Sequence, residues 1–277
     1  MSNAISASPS AKSSKHLWVA FAIMTVILAV APMWVYPVFL MKVMCFALFA
    51  SAFNLLLGFG GLLSFGRAMF MGSAGYVAAH SAKVWGLSPE ICVLLGTMTS
   101  AVLALVVGLL AIRRQGIYFA MITLALAQMV FFFCLQVPFT GGEDGIQAVP
   151  RGKLFGLIDL EDNFNMYIFV LTIFLMGFLL IWRVIQSPFG QILKAIREHP
   201  DRATSLGYDT DTFKLLAFVI SGALAGTAGA TKSLVFQLAS LTDVHWSMSG
   251  EVVLMTLVGG MGTLFGPLIG AAVIISM

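Results

Sequence analysis

The stretch SPFGQILKAIREHPDRATSLG, residues 187–207, is a long hydrophilic segment between apolar runs that also carries a helical pattern. Ser187 is a suitable N-cap, and Pro188 suits the first helical position, where a missing N–H costs nothing. Phe189, Ile192, Leu193 and Ile196 recur at spacings of three and four and share one face. Lys194 and Glu198 stand four apart, with Arg197 beside them on the wetter side. Pro200 disfavours the α conformation at His199, so the helix is expected to end there. A second short turn over 201–206 then reaches Gly207, which suits a left-handed cap. The pattern predicts a rigid polar projection. The other reading of the same residues is an ordinary loop, basic because basic residues stay in the cytoplasm.

The rest of the chain fixes the class. It has 277 residues, 60% hydrophobic and only 10% charged, with a mean hydropathy of +0.98. Soluble domains carry about 25% charged residues. This is the composition of an all-α, polytopic helical membrane protein lying in a lipid bilayer. The net charge of +3 is small, and no basic face points to a nucleic-acid partner. Cys45, Cys92 and Cys134 lie in or beside apolar runs without a CxxC, as buried small hydrophobes rather than disulfides or metal ligands. There is no GxxxxGK[ST], so no P-loop nucleotide site; there is no HExxH, GxSxG or metal-spaced Cys/His set either. An enzyme has little support, and no cofactor is expected on this chain. A permease subunit driven by a separate motor, a secondary transporter and a channel remain. Coupled carriers use ionisable groups near the bilayer midplane. Mid-span acids are missing here, which favours external energisation.

A span needs about 20 mostly apolar residues. About eight runs qualify: 17–35, 38–58, 62–80, 91–112, 116–137, 166–185, 212–239 and 249–277. Residues 1–16 form a Ser/Ala-rich tail, and the long run after it reads as an uncleaved first span rather than a signal peptide. With the N-terminus cytoplasmic, alternating crossings place nine Lys and Arg residues at the inner face (Lys12, Lys15, Arg113, Arg114, Arg183, Lys194, Arg197, Arg202, Lys214). Four fall outside (Lys42, Lys83, Arg151, Lys153). That bias favours the orientation. It makes 187–207 cytoplasmic and the acidic loop 138–165 external.

Some spans are expected to be broken. Gly222 and Gly226, four apart, suit close helix packing. The cluster Gly259, Gly260, Gly262, Gly266 and Pro267 points to a helix break whose freed backbone groups line a path. After Pro267 only eleven residues remain, about half a bilayer. The sequence is therefore expected to be a truncated permease lacking a final helix and tail. Lys232 and Glu251 either pair across the outer turn that holds Asp243 and His245, or sit separately at the interface, where Lys snorkels. Asn54, Thr123, Gln128, Ser221 and Gln237 either line a path or satisfy hydrogen bonds between helices.

Six stretches taken in order carry a resemblance: FNLLLGFGGLLSFGRAMFMGSAGY (53–76), GIYFAMITLALAQM (116–129), TGGEDGIQAVP (140–150), GQILKAIREHPDRATSLGY (190–208), KLLAFVISGALAGTAGA (214–230) and SGEVVLMTLVGGMGTLFGP (249–267). From about Phe46 onward the chain resembles LivM-type permease subunits of branched-chain amino-acid ABC importers. The resemblance implies a docking loop of the E-A-A-x-x-x-G kind. Ala203 and Gly207 match it, Asp201 replaces the acid and Arg202 departs. It also implies that the segment holding Gly190, Lys194, Arg197 and Glu198 is the coupling helix. Arg67 departs too, standing where many relatives carry His after SFG. The implied partners are a homologous H-type permease, two P-loop ATPases that use the ATP, and a periplasmic binding protein, all at a bacterial inner membrane. The implied cargo is leucine, isoleucine or valine, with urea or short amides as the alternative. The external loop 138–165 either touches the binding protein or is a plain solvated loop.

Overall fold

A computed structural model describes residues 11–277 apart from 115, 155 and 157, with side chains from Trp18 onward. The helices in order are α1 (Ala11–Val30), α2 (Pro37–Asn54), α3 (Arg67–Lys83), α4 (Pro89–Ala111), α5 (Ile117–Gln136), α6 (Asn163–Gln186), α7 (Pro188–Glu198), α8 (Pro200–Ser205), α9 (Thr210–Phe236), α10 (Trp246–Gly259) and α11 (Gly266–Ser276). The expected tail at 1–16 lies outside the described residues as far as residue 10, and α1 is already under way at Ala11. Among the described residues, five helices are long and apolar enough to cross a membrane: Pro37–Phe59, Pro89–Ala111, Ile117–Gln136, Asn163–Gln186 and Thr210–Phe236. The chain is an all-α, multi-pass membrane protein.

Two of the eight expected runs depart from simple rods. The run at 62–80 starts with a non-helical stretch, and its helix begins only at Arg67. The run at 249–277 is corrected more strongly. It is a helical hairpin, with α10 and α11 packed antiparallel. Gly266 lies against Gly259, and Gly270 lies against Met255. Gly260 and Gly262 take φ of +99° and +75°, which reverse the chain sharply, and Pro267 starts the return helix.

α2 is the centre of the bundle. Its stretch from Met41 to Asn54 is almost wholly buried, with α6, α9, α10 and α11 around it. α3, α4 and α9 form the tightest layer. In a bilayer, van der Waals contact and hydrogen bonds between helices replace the hydrophobic drive, so close approach matters most. The seam between α4 and α9 is built from small residues at four-residue spacing. Gly96 faces Ala230, Ser100 faces Gly226 and Ala104 faces Gly222. Ser100 Oγ donates to the Gly222 carbonyl at 2.7 Å, and the Thr97 and Thr227 hydroxyls meet at 3.0 Å.

The end of the bundle away from α7 is tied by backbone pairing. β1 (Ile146–Gln147) pairs antiparallel with β4 (Leu238–Ala239), so loop 138–165 is stitched to the turn after α9. β2 (Lys153–Leu154) pairs with β3 (Ile158–Asp159) inside that loop. Arg151 Nη2 donates to the Val235 carbonyl at 2.9 Å, and Lys83 Nζ to the Gln147 carbonyl at 2.8 Å. Glu143, Asp144, Asp159, Glu161 and Asp162 remain exposed.

Lys232 pairs here with Asp243 rather than with Glu251, which is exposed. The turn before α10 folds inward and delivers the carboxylate, and the ammonium also lies 5.2 Å from the Phe46 ring. Lys232→Met should therefore destabilise the protein by about 2 kcal/mol, less than a fully buried pair because both side chains keep some exposure. The double variant Lys232→Met with Asp243→Leu should recover most of that loss. Thermal unfolding of the purified variants in detergent checks both.

Candidate functional site

The α7–α8 segment is built from local rules. The Ser187 hydroxyl accepts from the Gly190 N–H at 3.4 Å, capping α7. Gly190 is obligatory in another way: a Cβ there would lie 2.6 Å from the Val184 carbonyl oxygen and closer still to that of Ile185. The chain can therefore turn from α6 into α7 without a linker. α7 ends at Glu198, one residue before His199-Pro200, and α8 follows at once. Gly207 takes φ of +88° with open space around its Cα. Asp209 then caps α9, and hydrogen bonds from the Thr212 hydroxyl and N–H hold its carboxyl below the usual range.

The apolar face of α7 docks on the end of α2. Leu193 and Ile196 are buried, and Phe189 stacks on Phe213 of α9 with ring centroids 5.6 Å apart. Beneath them, Leu55–Phe59 continue α2 as a π-helical turn. Such turns widen the helix and leave carbonyls available to other partners. Arg197 uses one, its Nη1 donating to the Gly58 carbonyl. Lys194 Nζ lies 5.4 Å from the Phe59 ring. Gly61, at φ +68°, runs directly under the Arg197 side chain, where a Cβ would meet Cγ at 2.9 Å.

The same turn of α2 holds the α10–α11 reversal. Asn54 Nδ2 donates to the Thr263 carbonyl at 2.7 Å, and the Gly262 N–H donates to Asn54 Oδ1 at 2.9 Å. A Cβ on Gly58 would come within 2.6 Å of the Gly262 nitrogen. Two clusters read separately in the sequence therefore meet. α7 grips the π-helical turn through Arg197, and that turn grips the Gly259–Pro267 reversal through Asn54. The reversal occupies the α7 end of the bundle, where it joins two helices, and it does not interrupt a single span.

Beyond Arg197 the projection faces outward. Glu198, His199, Arg202, Ala203 and Leu206, with Gln191 and Tyr208, line a groove of about 370 Å³ between α7 and α8. Ala203 is buried at its floor, while Leu206 is 70% exposed at its rim. Asp201 and Arg202 are exposed on α8. Such a groove, with a charged rim and an apolar floor, suits a protein edge. The sequence offers Asn54 only as one of five polar residues that either line a path or satisfy hydrogen bonds between helices; a polar side chain inside an apolar run is its signal, and the fold gives it hydrogen bonds to the reversal. Among the described residues, no group of three or more His, Cys, Asp or Glu could hold a metal ion.

A family model described as branched-chain amino acid transport system / permease component matches residues 36–277. The chain belongs to this family. Relatives include the high-affinity branched-chain amino acid transport system permease protein LivM of Salmonella typhimurium, 28% identical over 84% of this chain and 60% of the relative. LivM of Escherichia coli is 27% identical with the same coverage. A probable LivH permease of Methanocaldococcus jannaschii is 28% identical over 43% of this chain and 37% of the relative. The chain spans about three-fifths of the length of the two bacterial family members. No solved structure matches it.

Proposed function

We propose that this chain is the membrane-spanning subunit of an ATP-driven importer of branched-chain amino acids, and that α7–α8 is its coupling element. In this reading the segment faces the cytoplasm at a bacterial inner membrane, as the Lys and Arg distribution favours. Two P-loop ATPases receive α8 and the groove above Ala203, a homologous H-type permease completes the pore, and a periplasmic binding protein delivers the solute to the opposite face. The observation that carries the proposal is the relay from the capped projection through Arg197 and Gly58 to Asn54 and the α10–α11 reversal. A push on a floppy loop dissipates in the loop. A push on α7 moves the end of the most buried helix and the hairpin together, a rigid-body transition of the kind alternating access needs.

The test is uptake by proteoliposomes holding the full-length permease pair and its ATPases, with binding protein and ATP supplied. Labelled leucine should accumulate only when both are present. Urea accumulation would replace the cargo and keep the coupling. Uptake by this chain alone without ATP would overturn the importer.

A further inference from the structure

We infer that Arg67 and the N-terminus of α3 form the point inside the permease that receives the α-carboxylate of the transported amino acid, an inference that rests on the importer reading above. Arg67 is fully buried, and its Nε, Nη1 and Nη2 have no hydrogen-bond partner among the described residues. It lies deep in the bundle. The guanidinium is 5.0 Å from the ring of Phe218, eight residues into α9 and so about 12 Å along that helix. A buried guanidinium without an acceptor is costly, and ionisable groups at membrane depth are kept for function. Among the described residues no acid pairs with it. Among the described residues Asp243 is the only buried acid, and Lys232 takes it.

The second observation is the helix that Arg67 opens. α3 has 17 residues and starts inside the bundle after the non-helical stretch 61–66, with no side-chain cap at Gly66. Its aligned peptide dipoles place partial positive charge at that buried end, as half-helices do in carriers of anionic solutes. The Ala68 N–H donates to the Ser249 hydroxyl of α10 at 2.9 Å, which ties this helix start to α10. A planar guanidinium fork matches a carboxylate with two parallel hydrogen bonds. Beside it Phe70, Phe119 and Phe218 form an apolar wall, with centroid separations of 5.5 and 5.9 Å from Phe218 to the other two. A carboxylate on the cation with an aliphatic side chain on the rings describes a branched-chain amino acid; urea has neither group.

One of the two elements over this point, α10, is also reached by the coupling relay. Ser249 sits on α10, whose far end is the reversal held by Asn54. Thr123 of α5 closes the other side, near enough that a Cβ on Gly66 would meet its carbonyl at 2.6 Å.

Two measurements on the complete transporter test this. In the first, wild-type uptake of leucine is established, and its failure would sink the importer reading. Arg67→Met should then cut uptake at least thirtyfold while ATP hydrolysis stays within about twofold, and Arg67→Lys should restore uptake to within about tenfold of wild type. Wild-type uptake in Arg67→Met would overturn only the present inference. The second needs no variant and covers a Met variant that fails to fold. Millimolar leucine should raise the thermal unfolding midpoint of the wild-type permease without binding protein, and leucinamide, which lacks the carboxylate, should not. Equal shifts with leucinamide would overturn the assignment, as would an equal shift with sodium chloride, which would mark a general anion site.

Discussion

Gly229→Leu is expected to leave no folded protein to purify. Gly229 lies where α9 runs against the backbone of α3, and any Cβ there would fall well inside contact distance of the Met71 carbonyl oxygen. A flexible neighbour could rotate away, but a carbonyl in mid-helix cannot, so α3 and α9 would have to separate. That separation also opens the seam with α4, because Gly226 and Gly222 on the same helix meet Ser100 and Ala104 just as closely. Overpacking by one methylene in a well-packed core typically costs about 1–3 kcal/mol. Four carbons driven into backbone should cost more, about 5 kcal/mol or above, against a total stability of about 5–15 kcal/mol. The measurement is size-exclusion chromatography of the fluorescently tagged variant in mild detergent, where the monodisperse peak should disappear. Gly250→Ala is the control. Nothing lies within 4 Å of a Cβ there, and Ala is the better helix former, so that peak should match the parent. A normal peak for Gly229→Leu would mean that the α3–α9 contact is not what holds the bundle.

Local chemistry made the projection legible. Ser187, Gly190, Pro200 and Gly207 act on their immediate neighbours, and α7, the break at His199 and the cap after α8 follow from them. The small-residue spacing on α9 was legible for the same reason, since a four-residue period is a property of one helix. Relations between distant residues were not. Gly259, Gly260 and Gly262 announce a break but not the direction the chain takes after it; the hairpin is set by Gly270 nesting on Met255 and by α11 packing on α2. Lys232 found Asp243 rather than Glu251 because a turn after α9 dips into the bundle, and no periodicity encodes a dip. Arg67 was readable as a residue but not as a buried one, since the non-helical stretch before it does not appear in an apolar run. Asn54 shows the limit most clearly. Its partners are more than 200 positions away in the chain, and only the fold brings them to it.

That position gives the second large effect. On the importer reading proposed above, Asn54→Leu should uncouple transport, with ATP hydrolysis continuing while leucine uptake falls about thirtyfold or more. Asn54 is buried at 3% exposure and makes two hydrogen bonds to the reversal. Leucine fills the volume but can make neither, and it leaves the Gly262 N–H and Thr263 carbonyl without their partner. Two such bonds at about 1 kcal/mol each correspond to about thirtyfold if they hold the reversal to α2 while α7 moves. Arg197→Met should act in the same direction, since it removes the link between α7 and Gly58. Because both residues lie on one relay, the double variant should be little worse than Asn54→Leu alone, and that non-additivity is the signature of a shared path. The measurement pairs ATP hydrolysis and leucine uptake in the same proteoliposomes for the wild type, both single variants and the double. Hydrolysis and uptake falling together would reduce Asn54 to a packing residue. Additive losses would separate α7 from the hairpin and leave the proposed coupling element without a route into the membrane.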